Sequence, residues 1–462
     1  MGLRNHVGHP TRAAASAVVV AATALLAAAP ALGAVPAPEG GLAYSVGPIT
    51  TVSVGCPGTG DVAEAVDPIH DFVYQEFEGC GKGNAIGFAR STNGGESYDS
   101  PVALPGSYGG WDPWTAVAPN GTVYAAFMNT VGTKSFPIVD VSHDRGRTFF
   151  VERSLMPQQR DNWGDADYIA VGSDGTLYVS WDYGPSNSEV REQCSSTGSC
   201  YATAGDVNVV LQDSTNGGRT FGPMSDVSPG FPDGSADEGA LTIEPNGRID
   251  VLYQDFRVTN SPKRKFANGY SYFTSSSDTG KTWRTPVVVG ASAGSMTPDE
   301  WWNDGSIGVD SSGDLYAAWD TQGRVHGQSA DIGWVSFSTD DGRDWSPPFQ
   351  APADEDDVPH IMEVVGAGAG GAYVAWLSDS DPRGYAEYLR TFVVAAHGGT
   401  GGWLSAPQQI STEFGDRNVF PGDTFGIATL SPTQLVLSWG SATPNTSDKT
   451  AVFAAPVTSL LP

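Results

Sequence analysis

The chain has 462 residues, 40% of them hydrophobic and 16% charged, with 52 acidic side chains against 24 basic ones and a formal net charge of −28. A charge of that size repels nucleic acid and anionic membrane surfaces over the whole molecule, which excludes both as partners. An acidic, well-solvated surface is the expectation.

The first segment stands apart. Arg4 and Arg12 precede an alanine- and valine-rich run from Ala13 to Ala29, and small residues around Ala29-Pro30-Ala31 and Gly33-Ala34 offer cleavage points. This reads as a secretory signal peptide over 1–34, of bacterial type and too short for a stable membrane span. No later stretch approaches the roughly 20 apolar residues of a spanning helix, so a secreted, extracellular protein without membrane insertion is expected. Loss of Arg4 and Arg12 with the leader leaves 22 basic residues against 52 acidic ones.

From residue 43 to 462 one pattern repeats, and a single domain is expected. In seven segments a turn-like anchor is followed six positions later by an aromatic ring: Phe77, Phe127, Trp181, Tyr253, Trp319, Trp376 and Trp439. The position three after the anchor is aromatic or apolar except at Asp250. A short apolar stretch precedes each anchor, as in Tyr168-Ile169-Ala170-Val171, so each segment predicts a hairpin of two buried strands. After five of these hairpins comes an eight-residue phrase with a serine, an acid or amide, a fixed glycine, and a polar residue before an aromatic ring. The phrases begin at Ser91, Ser142, Ser214, Ser276 and Ser338. In such a phrase the acid or amide ties its own loop, the glycine takes a positive φ, and the ring packs between sheets. The sixth unit carries a degenerate version, His397 to Trp403. The seventh runs out of chain after Thr450-Ala451-Val452-Phe453-Ala454, and Pro48 to Val54, which precedes the first hairpin without a partner, can supply its missing strand.

The phrase resembles the Asp-box, the hairpin signature of the sialidase-like (BNR-repeat) β-propellers. The fold class that follows is all-β, a seven-bladed β-propeller with six blades as the fallback, its last blade closed by the N-terminal strand. Asp-boxes lie on the outer rim, so function is sought at the other end, before the innermost strands.

There the sequence is acidic and aromatic: Trp111-Asp112-Pro113-Trp114, Asp161 to Asp167 with Trp163 and Asp165, Asp237-Glu238, Asp299 to Asp304 with Trp301 and Trp302, and Gly422-Asp423-Thr424. Acids interleaved with tryptophans suit a glycan, the rings stacking on sugars while carboxylates bind hydroxyls or move protons. The same aspartates also suit tethering of neighbouring blades through backbone amides. The resemblance implies a glutamate, a turn and an arginine in the order Glu238, Gly247, Arg257, with Arg257 about three residues late. The family's Arg-Ile-Pro motif is absent, and no tyrosine stands near Gly422-Asp423-Thr424, where the nucleophile would fall. The expectation is therefore a sialidase-like glycoside hydrolase that works through carboxylates, Asp167, Glu238, Asp304 and Asp423 being the candidate catalytic acids. Trp111, Asp112, Trp114, Trp163, Asp165, Trp301, Trp302, Tyr253 and Arg257 are candidate substrate contacts.

A non-catalytic glycan- or protein-binding propeller is the alternative, and a polysaccharide lyase the third reading; for the lyase, His360 alone among His70, His143, His326, His360 and His397 sits just before an innermost strand. A basic patch, Arg257 to Lys265, could meet an anionic substrate. Two local disulfides are expected, Cys56 with Cys80 and Cys194 with Cys200, as suits an oxidising compartment. No cofactor is expected; a structural calcium could sit at Asp354-Glu355-Asp356-Asp357, although an acidic run is more often solvated loop. The expected partner is a glycan, and the protein a monomer.

Overall fold

The computed structural model describes residues 44–56, 59–67, 69–155, 162–184, 191–194, 200–204, 207–228, 234–257, 269–292, 305–325, 328–351, 358–379, 389–398, 402–411, 422, 424–442 and 450–459. All lie in one compact unit, Ala37–Pro462. The predicted leader falls outside them. The described residues form strands and turns, with no helix among them.

Seven antiparallel sheets make seven blades. Blade one is Val62–Asp67, Phe72–Cys80, Ala85–Ser91 and Val102–Ala103; blade two is Trp111–Val117, Val123–Val131, Lys134–Ser142 and Phe150–Ser154. Blade three is Trp163–Val171, Leu177–Gly184, Asn208–Ser214 and Ser225–Asp226, with a separate hairpin, Arg191–Cys194 and Cys200–Ala204, inserted before its third strand. Blade four is Gly234–Ile243, Ile249–Arg257, Gly269–Ser276 and Val287–Ser292; blade five is Ser306–Val309, Leu315–Val325, Gln328–Ser338 and Phe349–Gln350. Blade six is Val358–Gly366, Gly371–Asp379 and Leu389–His397, completed by Trp403–Leu404 and Gln408–Gln409.

Blade seven takes Gly426–Ser431, Gln434–Ala442 and Thr450–Ser459 from the C-terminus, and its outer strand from the N-terminus, as Tyr44–Val46 and Thr50–Thr51. The closing strand is thus the one expected, with an extra first piece. The first strand of each blade packs on that of the next, and Gly426–Ser431 returns to Val62–Asp67, so the ring closes at seven. Closure removes the open edge that invites strand addition. A disulfide, Cys56–Cys80, staples the closing segment to blade one. Cys194 and Cys200 stand directly opposite each other in the inserted hairpin.

The repeated rings form the walls between blades. Phe77, Phe127, Trp181, Tyr253, Trp319, Trp376 and Trp439 are all less than 2% exposed. Removing such a ring to alanine costs about 3–5 kcal/mol. In three blades the position three after the anchor lies against a turn glycine of the following blade's phrase: Tyr74 against Gly146, Tyr124 against Gly217, and Val436 against Gly95. Asp250 breaks that apolar pattern, and an ion network replaces the contact. Arg248 Nε donates to Asp250 at 2.8 Å, Nη2 reaches Glu244 at 2.5 Å, and Nη1 reaches Asp341, inside the next blade's phrase, at 3.2 Å.

The phrases tie themselves as the sequence predicts. In the second, Ser142 Oγ donates to Asp144 and accepts from the Gly146 amide at 2.8 Å, and the amides of Arg147 and Thr148 donate to Asp144. The fixed glycines Gly95, Gly146, Gly218, Gly280 and Gly342 have φ between 71° and 86°. The terminal rings pack on the preceding blade, Phe149 on Phe88 at 4.5 Å and Trp345 on Phe273 at 5.3 Å. In the degenerate sixth unit, Gly402 meets Phe337 of blade five in the same way.

Candidate active site

The first strand of each blade begins, and the second ends, at one end of the ring, the mouth opposite the phrases. Residues expected in loops there lie inside strands: Trp111, Asp112 and Trp114 in blade two, Trp163, Asp165 and Asp167 in blade three, and Glu238 in blade four. Each of these strands slips register near its start, between Trp111 and Trp114, Asp165 and Tyr168, and Asp237 and Ala240; blade six slips between His360 and Met362. Such bulges re-aim side chains next to binding sites. Here they turn Asp112 and Ala166 to φ of 47° and 46°.

The bulges link blades one to three in a chain. Asp112 N donates to Glu78 Oε1 at 3.3 Å, Ala166 N donates to Asp112 Oδ2 at 3.1 Å, and the Trp111 indole donates to Asp165 Oδ1 at 2.7 Å. Asp112 and Asp165 are therefore tethers between blades, the role the sequence offered as the structural one. Trp114 packs against Tyr168 of blade three, ring centroids 4.6 Å apart, and Trp111, Trp114 and Trp163 each keep part of their surface in solvent.

Beside this chain Asp61, Glu78 and Asp112 each bring one carboxylate oxygen within 4.8 Å of the others. Asp61 (φ 28°) opens blade one, and its backbone lies under Gly422, where any Cβ would fall 2.1 Å from Asp61 N. Thr424 ties the same seam by accepting from Val62 N at 2.9 Å. Burial, then the Asp61 charge and a hydrogen bond to Asp61, push the Glu78 carboxyl up to about 8. Two carboxyls in contact share a proton in preference to ionising together. The three oxygens also have the spacing and hardness to hold a divalent cation.

Asp167 sits deeper. It has no exposed surface, and neither of its carboxyl oxygens has a hydrogen-bond partner among the described residues; the same holds for Glu76 and Asp140. Burial raises Asp140 to about 8 and lifts Asp167 and Glu76 well above the usual carboxylate range, with Glu76 further raised by Asp167 and Asp140. Uncharged carboxyls are the form such a site tolerates. Asp167, expected to meet substrate, is a wall residue in this structure. Tyr253, expected as a substrate contact, is likewise sealed, 0% exposed and stacked on Tyr272 at 5.8 Å. It is blade four's member of the repeated inter-blade rings, and burial leaves it no face for a sugar.

Other expected residues lie outside what is described: Trp301, Trp302, Asp304 and Asp423, the acidic run at 354–357, most of the basic patch, and the side chains of Glu238, Arg257 and His360. Glu78 and Asp61 were not anticipated. Glu78 lies near the end of a second strand that returns to the same mouth, and Asp61, although it precedes a first strand, stands without an aromatic neighbour in sequence. Alternation along Tyr74, Glu76 and Glu78, which puts acids on the face toward blade two, was the available signal.

No family model and no curated protein matches this sequence. Solved structures do resemble it. An ulvan lyase, described as belonging to a new family of polysaccharide lyase, aligns with a TM-score of 0.55 at 13% identity over 88% of this chain and 95% of its own. The polysaccharide lyase Uly1 aligns with a TM-score of 0.54 at 13% identity, covering 87% and 90%. A Hadza microbial sialidase aligns with a TM-score of 0.47 at 11% identity, covering 80% and 73%. The likeness to the two lyases is one of fold alone.

Proposed function

We propose that this protein is an exported carbohydrate-active enzyme that hydrolyses a glycan at the mouth, with Glu78 as the proton donor and Asp61 as its carboxylate partner. The observation that carries the reading is the Asp61–Glu78 pair: one carboxyl held protonated to about 8 beside a second carboxylate, half-buried next to the partly exposed Trp111. Glycosidic cleavage asks for an acid protonated at neutral pH and a second carboxylate to balance the oxocarbenium charge. Oxygens closer than 4.8 Å resemble the spacing of a retaining rather than an inverting pair. The Cys56–Cys80 disulfide and the leader-like N-terminus support export.

A second reading, a polysaccharide lyase, rests on one placement: His360 falls at the bulge of blade six's first strand, the position that carries Trp111 in blade two. One assay separates the readings. Purified protein is incubated with arabinan, ulvan and a sialylated glycan, and products are followed by reducing ends and by the ultraviolet absorbance of unsaturated uronates. New reducing ends without that absorbance support the hydrolase. Reducing ends with it support the lyase, and retention of glycan without products would make this a binding propeller.

A further inference from the structure

We infer that Tyr108 is an outer sugar-binding subsite, a fixed aromatic platform that receives a more distant residue of the glycan whose cleavage is proposed above; the inference rests on that reading. Tyr108 is 69% exposed, while the other tyrosines and every tryptophan among the described side chains are buried or only partly exposed. It lies on the segment that crosses from the outer strand of blade one to Trp111, the first residue of blade two's first strand. The same segment therefore leads from an exposed ring to Trp111, the residue before Asp112, whose amide bonds Glu78 of the acid pair.

The ring is held in place. It fills the space over Gly83, where a built Cβ would fall 1.9 Å from Tyr108 Cε2, and Gly83 itself has φ of 78°. Gly109 N donates to Gly83 O at 3.1 Å, and buried Ser107 accepts from Ile86 N while donating to Leu104 O at 2.7 Å. Asn129 Nδ2 donates to the carbonyls of Gly106 and Tyr108 at 3.2 and 3.5 Å. Val131, two residues beyond Asn129 at the end of the same strand, is 55% exposed. Water alone gives no reason to fix a large ring in the open; a pre-set aromatic face loses little freedom on stacking against the apolar face of a sugar.

The test uses the full protein with Tyr108→Ala and Tyr108→Phe, titrated with arabinan, ulvan and a sialylated glycan and with short fragments of whichever binds. The Ala variant should lose affinity for the long chain by about tenfold, less for the shortest fragment, with Phe restoring it and thermal unfolding unchanged. Equal affinity of Ala variant and parent for the long chain overturns the subsite and leaves the catalytic reading standing. A parent that neither binds nor cleaves any of the three overturns both, and points to a protein partner for the exposed ring.

Discussion

In the loop phrases at the turn end of the blades, aspartates are held charged; Glu78 at the mouth, and Asp140 and Asp167 in the blade walls, are held neutral. Asp144, against a modest cost of burial, is kept at about 2 by bonds from Thr148, Ser142 and Arg147, Asp278 is kept at about 2 by bonds from Thr282 and Ser276, and Asp340 is lowered by the Asp344 amide. Each is satisfied within its own loop. Glu78 is instead raised to about 8 by burial and the Asp61 charge, Asp140 to about 8 by burial, and Asp167 well above the usual range by burial with the Asp165 charge adding to it. The same residue type thus serves as a structural tie where donors surround it, and becomes a proton holder where acids surround it.

The contrast is sharpest under mutation. Glu78→Gln should cut glycan turnover by about 100-fold or more while the fold survives, as loss of a general acid does; turnover within a few fold of the parent would remove Glu78 from the chemistry. Arg248→Met, at the far end, should cost about 3–5 kcal/mol of unfolding free energy, because it leaves buried Glu244 and Asp250 facing each other without their cation. Urea unfolding measures it, and an unchanged midpoint would show that the network is dispensable. Ser142→Ala should cost about 1–3 kcal/mol, the penalty of leaving the buried Gly146 amide unpaired, and should leave turnover intact.

The smallest expected effect is the shape of stability against pH. The loop aspartates have folded values below the ordinary one near 4, so their contribution is present above about pH 4 and fades as pH falls toward about 2. Glu64 and Asp140 are raised to about 8, so theirs is complete below about pH 4 and lost as pH rises through about 8. Unfolding midpoints should therefore drop on both sides, with Asp144→Asn flattening the acid limb and Glu64→Gln the alkaline one. If Glu64→Gln leaves the alkaline limb as it was, Glu64 is not neutral in the folded state.

The sequence made the fold legible because every blade states it twice, in an aromatic at a fixed step from a turn and in a glycine that only a left-handed turn requires. Even the closing strand could be read, since Pro48 to Val54 had no partner elsewhere. The site was harder to read. Asp112 and Asp165, picked as ligand contacts, also tie blades two and three together, Asp112 through a bulge that no local pattern announces. Tyr253 was picked for its place near the mouth, but its step in the repeat already marked it as core. Glu78 was overlooked because proximity across a closed ring joins the end of one strand to the start of another 34 residues later, at Asp112.

The account's central claim is that Glu78 is the protonated acid of the mouth. It is tested most directly by the pH dependence of kcat/KM for reducing-end release by the parent protein, measured inside the pH range over which the fold is stable. The account predicts a plateau through neutrality and a tenfold fall per pH unit above about 8. A rate that stays level or rises across that range would contradict it.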